Sequence, residues 1–204
     1  MGDVSEFLDE LTEFNTNCDL LRSMVNDLDK YFMCQYIVGS NDIISEPELA
    51  PHIIPINEVI KRDELVSKYD LTVLAKNYML KSLPETNELY QYFTDISTNF
   101  LQKLFLSDIQ INYRGLQLYL RGGSQNPHTD QHNNCDVAFL MYLSNDEYNN
   151  SGGALKITDL GIECPPTRGK FAILEIRENN PKHEVTLLVD DFKRLSFLTF
   201  AAKK

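Results

Sequence analysis

An α+β chain, with a jelly-roll core behind a mainly helical first half, is what three features of this sequence predict. Hydrophobic residues recur at spacings of three and four through the first half. From about residue 109 they alternate, or run in short blocks rich in β-branched and aromatic residues. Gly, Asn, Asp and Pro separate those blocks. At 204 residues and 43% hydrophobic the chain can build one well-cored domain, and no Pro/Ser/Gly-rich stretch offers a point at which to divide it. We read 1–204 as a single domain, with 1–107 a mainly helical support region and 108–204 the jelly-roll core.

The elements follow in order. Phe7, Leu8, Leu11 and Phe14 mark a first amphipathic helix. After a polar break at Asn15 to Asn17, Leu20, Leu21, Met24, Val25, Leu28 and Phe32 mark a second. Ser45 to Pro55 carries three prolines and reads as extended or irregular, either a flap over the core or a link to it. Glu58 to Leu83 is mixed and receives no firm assignment. Pro84 suits a first helical turn, after which Leu89, Phe93, Ile96, Phe100 and Leu104 predict a third helix. Ile109 to Tyr113 and Gly115 to Leu120 alternate as strands do. Val137 to Leu143, Ala154 to Ile157, Phe171 to Ile176, Glu184 to Val189 and Leu195 to Phe200 are apolar blocks of strand length. Seven or eight short strands of this kind predict a double-sheet jelly roll with the helices flanking one sheet.

A formal charge of −11 argues against nucleic acid as a partner, because neutralising phosphates needs clustered Lys and Arg. A basic or neutral substrate fits better. Cys18, Cys34, Cys135 and Cys164 lack CxxC or zinc-finger spacing and read as reduced thiols with packing roles. The acidic N-terminus lacks the basic and apolar regions of a signal peptide, and Glu6 stands where a myristoylation signal wants Ser or Thr. No apolar run reaches membrane-spanning length. The expectation is a soluble, cytoplasmic protein without a membrane partner.

The chemistry is carried by His128-Thr129-Asp130, then His183, then Arg194-Leu195-Ser196. Residues i and i+2 of a strand share a side, so His128 and Asp130 converge on one ion if that side faces the core. Alone, such a pair is a weak signal. His132 continues the alternation and is a rival third ligand, against which stands its setting in the polar run Gln131 to Asn134. His183 comes 55 positions after His128, just before an apolar strand, where a plain turn histidine is the other reading. Arg194 interrupts an apolar strand eleven positions later; pointing inward it would need a carboxylate, and pointing outward it would lie along the surface. Two imidazoles and one carboxylate on one face of a metal leave the opposite face open for an oxygen-activating ferrous site.

These segments resemble the Fe(II)/2-oxoglutarate-dependent dioxygenases, and within them the prolyl-hydroxylase branch. Tyr119-Leu120-Arg121-Gly122-Gly123 leading through Pro127 to His128-Thr129-Asp130 matches that branch in register. So do Tyr142-Leu143-Ser144-Asn145-Asp146, Gly152-Gly153-Ala154-Leu155, and Pro181-Lys182-His183-Glu184-Val185 with Lys182 inserted. The likeness covers about residues 109–201. It implies a double-stranded β-helix (cupin-like) core in which His128, Asp130 and His183 hold Fe(II). It also implies 2-oxoglutarate pairing with Arg194, assisted by Tyr142 and Ser196, with Tyr119 lining the pocket.

Oxygen as a further cosubstrate, ascorbate as a candidate stimulant, and release of succinate and CO2 with hydroxylation of an unactivated C–H bond complete the implied activity. The implied substrate is a prolyl or other residue in a peptide or protein, with a free amino acid or small natural product as the alternative. Related halogenases lack the carboxylate that Asp130 supplies, and related base demethylases carry a second arginine that the run after Arg194 lacks. Gln125 stands where collagen-type enzymes carry an aromatic, which leaves the substrate open. A reading of another class is a non-oxidative jelly-roll protein with zinc on His128, His132 and His183, in which Arg194 has no task. A catalytically silent binding domain would require a broken triad or a lost arginine.

Overall fold

Alternation of side chains along the strands of the second half makes a sheet with two buried faces, one covered by helices and the other rolled around a cavity. The computed structural model describes residues 2–3, 11–39, 51–130, 134–144 and 148–204. The helices are α1 (Leu11–Met24), α2 (Leu28–Tyr31), α3 (Val59–Lys68) and α4 (Asn87–Phe105). The first-half strands are β1 (Gly2–Asp3), β2 (Phe32–Gly39), β3 (Ile53–Ile54) and β4 (Thr72–Leu80). Then come β5 (Ile109–Tyr119), β6 (Ser124–His128), β7 (Val137–Tyr142), β8 (Leu155–Ile157), β9 (Ile162–Cys164), β10 (Lys170–Glu175), β11 (His183–Val185) and β12 (Arg194–Lys203).

Twelve strands form one curled antiparallel sheet in the order β1-β10-β7-β12-β5-β4-β6-β11-β8-β9, with β2 on β4 and β3 on β2. The curl occurs at β4, which pairs with β5 through Tyr78–Met79 and with β6 through Ala75–Lys76. One strand thereby joins the larger, helix-backed part of the sheet to the smaller part that carries the two histidines. This is the jelly-roll architecture expected from the alternating second half.

Side-chain parity on β7 and β12 shows how one strand serves both faces. Val137, Phe139 and Met141, with Leu195, Phe197 and Ala201, belong to the core under the helices. Ala138, Leu140, Leu198 and Phe200, of the opposite parity, line the interior cavity. Phe93 of α4 meets Phe14 of α1 edge-on at 6.2 Å and Phe197 at 5.8 Å, and Phe100 packs on Phe139 and Phe171 at 5.1 and 4.6 Å. Such ring pairs contribute about 0.5–1.5 kcal/mol each beyond simple burial, which makes α4 the brace of the sheet. All four cysteines are free and buried, and burial pushes the Cys18 and Cys34 thiols up to about 12.

The first half departs from the periodicity reading in three ways. Helix α1 continues through Asn15 to Asn17, because Thr16 and Asn17 hydrogen-bond back to the Thr12 and Glu13 carbonyls and face solvent. The expected second helix does not reach Phe32; from there Phe32, Cys34 and Tyr36 alternate inward as β2. The unassigned Glu58 to Leu83 divides into α3 and β4. Phe7, Leu8 and residues 45–50 lie outside the described residues, while Ile53–Ile54 at the end of the expected flap pairs with β2 as β3. Residues 1–107 thus supply more than helical support, since Gln35, Ile53 and Met79 form part of the cavity wall.

Candidate active site

His128 ends β6 and His183 begins β11, and antiparallel pairing sets these two residues directly opposite each other. Their rings lie 4.4 Å apart between centroids. Asp130 follows two residues after His128, with Oδ1 3.8 Å from His128 Nε2 and Oδ2 3.5 Å from His183 Nε2. One donor atom from each of the three lies within 4.8 Å of the other two, which is close enough for one ion to draw them together. His132, the rival ligand, lies outside the described residues.

The tautomers of both histidines follow from their backbones. His128 Nδ1 lies 2.8 Å from the Asn126 carbonyl and His183 Nδ1 lies 2.9 Å from the Pro181 carbonyl, the same two-residue step back in each case. A carbonyl only accepts, so Nδ1 carries the proton and Nε2 presents its lone pair to the shared centre. Burial lowers the His128 pKa, with His183 adding to that effect while the Asn126 carbonyl and Asp130 oppose it, so the neutral, ligating form dominates at neutral pH. Asn180 grips the Asp130 backbone from both sides, accepting its N–H at 3.2 Å and donating to its carbonyl at 2.8 Å. A proline shortly before each histidine is the one sequence signal for the first device; Asn180 reads in the sequence as a turn residue, with nothing to mark its hold on Asp130.

Arg194 opens β12 with its cross-strand partner Tyr119, and two residues later Ser196 faces Tyr142. The guanidinium is 1% exposed and lines the cavity, 4.5 Å from the Tyr119 ring centroid and 5.4 Å from that of Tyr142. It donates to Ser196 Oγ at 3.2 Å, while the Tyr142 hydroxyl donates to the Cys164 carbonyl. Its Nε has no acceptor, and no carboxylate pairs with it among the described residues. Burial, offset in part by Arg194, pushes the Tyr142 hydroxyl up to about 12, and Tyr119 moves in the same direction. Both remain neutral hydroxyls, so the arginine charge is left uncompensated at the cavity floor. Of the expected site residues, Tyr119 shares the cavity lining, whereas Tyr142 and Ser196 sit behind Arg194 and act on it.

The cavity, of ≈ 340 Å³, runs from the triad to Arg194 between walls of Leu140, Leu155, Leu174, Val185 and Leu198. Two imidazole nitrogens and a carboxylate on one side suit a ferrous ion with open positions. A buried guanidinium lining the same cavity, with no carboxylate partner among the described residues, suits a carboxylate ligand. The residues present therefore fit both an iron and a 2-oxo dicarboxylic acid.

Residues 115–202 match the family model of the 2OG-Fe(II) oxygenase superfamily. No curated protein matches the chain in sequence. Among solved structures, a prolyl-4-hydroxylase of Pseudomonas putida is similar at TM-score 0.55 and 14% identity, over 100% of this chain and 91% of that one. A viral collagen prolyl hydroxylase from Paramecium Bursaria Chlorella virus-1 is similar at TM-score 0.51 and 13% identity, over 93% of this chain and 91% of that one. AviO1 from Streptomyces viridochromogenes Tue57 is similar at TM-score 0.58 and 10% identity, over 99% of this chain and 87% of that one. These likenesses show a shared fold, and among the described residues no helix is long and apolar enough to cross a membrane. The matched residues 115–202 contain the triad, Arg194 and both tyrosines, so the part of the chain that builds the site is the part similar to the 2OG-Fe(II) oxygenase superfamily.

Proposed function

We propose that this protein is an Fe(II)- and 2-oxoglutarate-dependent hydroxylase acting on an uncharged residue, prolyl foremost, within a peptide or protein. The observation that carries the reading is the buried Arg194 without a carboxylate among the described residues, in one cavity with His128, Asp130 and His183. His128 Nε2, His183 Nε2 and an Asp130 oxygen would hold the iron, and Arg194 would take the distal carboxylate of 2-oxoglutarate. Iron with that cosubstrate and O2 supplies the power to hydroxylate an unactivated C–H bond, with 2-oxoglutarate leaving as succinate and CO2.

The chain's own residues prepare the site. Ser196 holds the guanidinium through its hydroxyl, and Asn180 fixes the Asp130 backbone. Arg194 itself is buried, which strengthens its pairing with a carboxylate.

The cations around the cavity bear on the substrate class. Arg194 is the one Lys or Arg among the cavity-lining residues, and the stretches 1, 4–10, 40–50, 131–133 and 145–147 contain none. With Arg194 engaged by the cosubstrate, the carboxylate of a free amino acid would be buried without a cation, at a cost of several kcal/mol. A residue inside a peptide brings only neutral amides, and Gln35 and Gln117 in the wall offer amides in return. The prolyl-hydroxylase identity of two of the similar structures agrees with this choice.

Anaerobic titration of the Fe(II)-loaded protein with 2-oxoglutarate tests the reaction class. A weak visible charge-transfer band, diminished in Arg194→Ala, is the expected result; no band in well-metallated protein overturns it. Succinate release stimulated by end-capped proline peptides, and not by free proline, is expected for the substrate. The reverse preference would turn the assignment to a small-molecule hydroxylase.

A further inference from the structure

One hydrogen-bonded chain joins the triad to the arginine end of the cavity, and it passes through Gln125. On β6, the pairs His128–His183 and Gln125–Val185 set a step of three residues against a step of two. Residues three apart on a regular strand face opposite ways; this bulge turns both Gln125 and His128 into the cavity. Pro127 sits within the bulge, where a missing ladder N–H is tolerated.

Because His128 Nδ1 donates to the Asn126 carbonyl, its Nε2 can only accept. The Gln125 group 3.0 Å from that nitrogen is therefore the amide NH2, and the Gln125 Oε1 accepts the Tyr119 hydroxyl, also at 3.0 Å. Tyr119 in turn lies beneath the Arg194 guanidinium. The lone pair that Gln125 occupies is the one a metal ion would require.

We propose that Gln125 is a positioning residue that gates metal entry, its amide capping the His128 Nε2 lone pair in the metal-free protein and Tyr119 holding that amide in place. Metal and Gln125 then compete for one electron pair. The inference rests on the triad being the metal site of the proposed function, and it needs no turnover to be tested.

The experiment is calorimetric titration of Mn(II) into the metal-free full chain. Gln125→Leu removes the cap, and the dissociation constant should fall about fivefold, the equivalent of one net neutral hydrogen bond. Tyr119→Phe should tighten binding by a smaller factor in the wild-type background and have no effect in the Gln125→Leu background. A side chain that only packs would leave affinity unraised and the two substitutions additive. Unchanged or weaker binding by Gln125→Leu, or additivity, overturns the gate. Should Gln125→Leu not fold, the sign for Tyr119→Phe decides alone: tighter binding supports the gate, and unchanged or weaker binding overturns it. Wild-type protein that takes up no more Mn(II) than His128→Ala removes the metal site itself, and the gate with it.

Discussion

Replacing Arg194 by methionine separates what its guanidinium does for folding from what it does for binding. The side chain is 1% exposed, with one hydroxyl acceptor at 3.2 Å, two ring faces and an unsatisfied Nε. Removing an ion from water costs several kcal/mol, while two cation–π contacts and one neutral acceptor return about 2–5 kcal/mol. Methionine fills similar volume without that cost, so Arg194→Met should stabilise the ligand-free protein by about 1–3 kcal/mol. For a chain of this length each kcal/mol moves Tm by about 2–4 °C. Under the proposed function the same change deletes the partner of the cosubstrate's distal carboxylate, a loss of about 2–5 kcal/mol, or at least about 30-fold in affinity. The assay is thermal denaturation of Mn(II)-loaded protein, without oxygen, with and without 2-oxoglutarate. Wild type should melt lower and shift upward with 2-oxoglutarate; Arg194→Met should melt higher and not shift. A variant that melts lower than wild type, yet still shifts, would refute the reasoning and make Arg194 a structural residue.

Three more outcomes are expected. Asp130→Ala should lose metal uptake while His132→Ala keeps it, measured by metal content after dialysis; the opposite pattern would support zinc on three histidines. Gly152→Ala should destabilise by at least about 2 kcal/mol in chemical denaturation. Its φ is +83°, and a Cβ there would stand 1.9 Å from the Leu187 carbonyl oxygen, so unchanged stability would contradict that backbone. Burial raises the Tyr142 hydroxyl to about 12. The unfolded chain therefore loses this proton first, and the associated stability is complete below pH about 10 and declines as pH rises toward about 12. Tyr142→Phe should make that decline shallower by up to about 1.4 kcal/mol per pH unit; identical slopes between pH 9 and 12 would reject the assignment.

Strands β7, β10 and β12 were readable because their apolar blocks are long enough to be strands and little else. Helix α4 was readable because Leu89, Phe93 and Phe100 keep the helical period, although Leu104 in its last turn is half-exposed. Strand β6 was not: Ser124–His128 is polar throughout and owes its conformation to pairing with β11 and β4. Strands β2 and β4 were obscured because their apolar residues sit at spacings that a helix also allows. The four residues of greatest chemical weight, His128, Asp130, His183 and Arg194, were nameable from residue type, order and family likeness.

Sequence by itself determined the periodicities, the kinds of ligand and the turn-marking prolines beside both histidines, all of which depend on near neighbours along the chain. Tertiary structure alone decided that His128 meets His183 across 55 intervening steps, that Arg194 faces inward with no carboxylate among the described residues, and that a bulge brings Gln125 onto the same side as His128. The reason is physical: which strand residue opposes which is set by backbone hydrogen bonds that every residue type offers alike. Side-chain chemistry fixes what a site can do, and register between distant strands fixes which side chains share it.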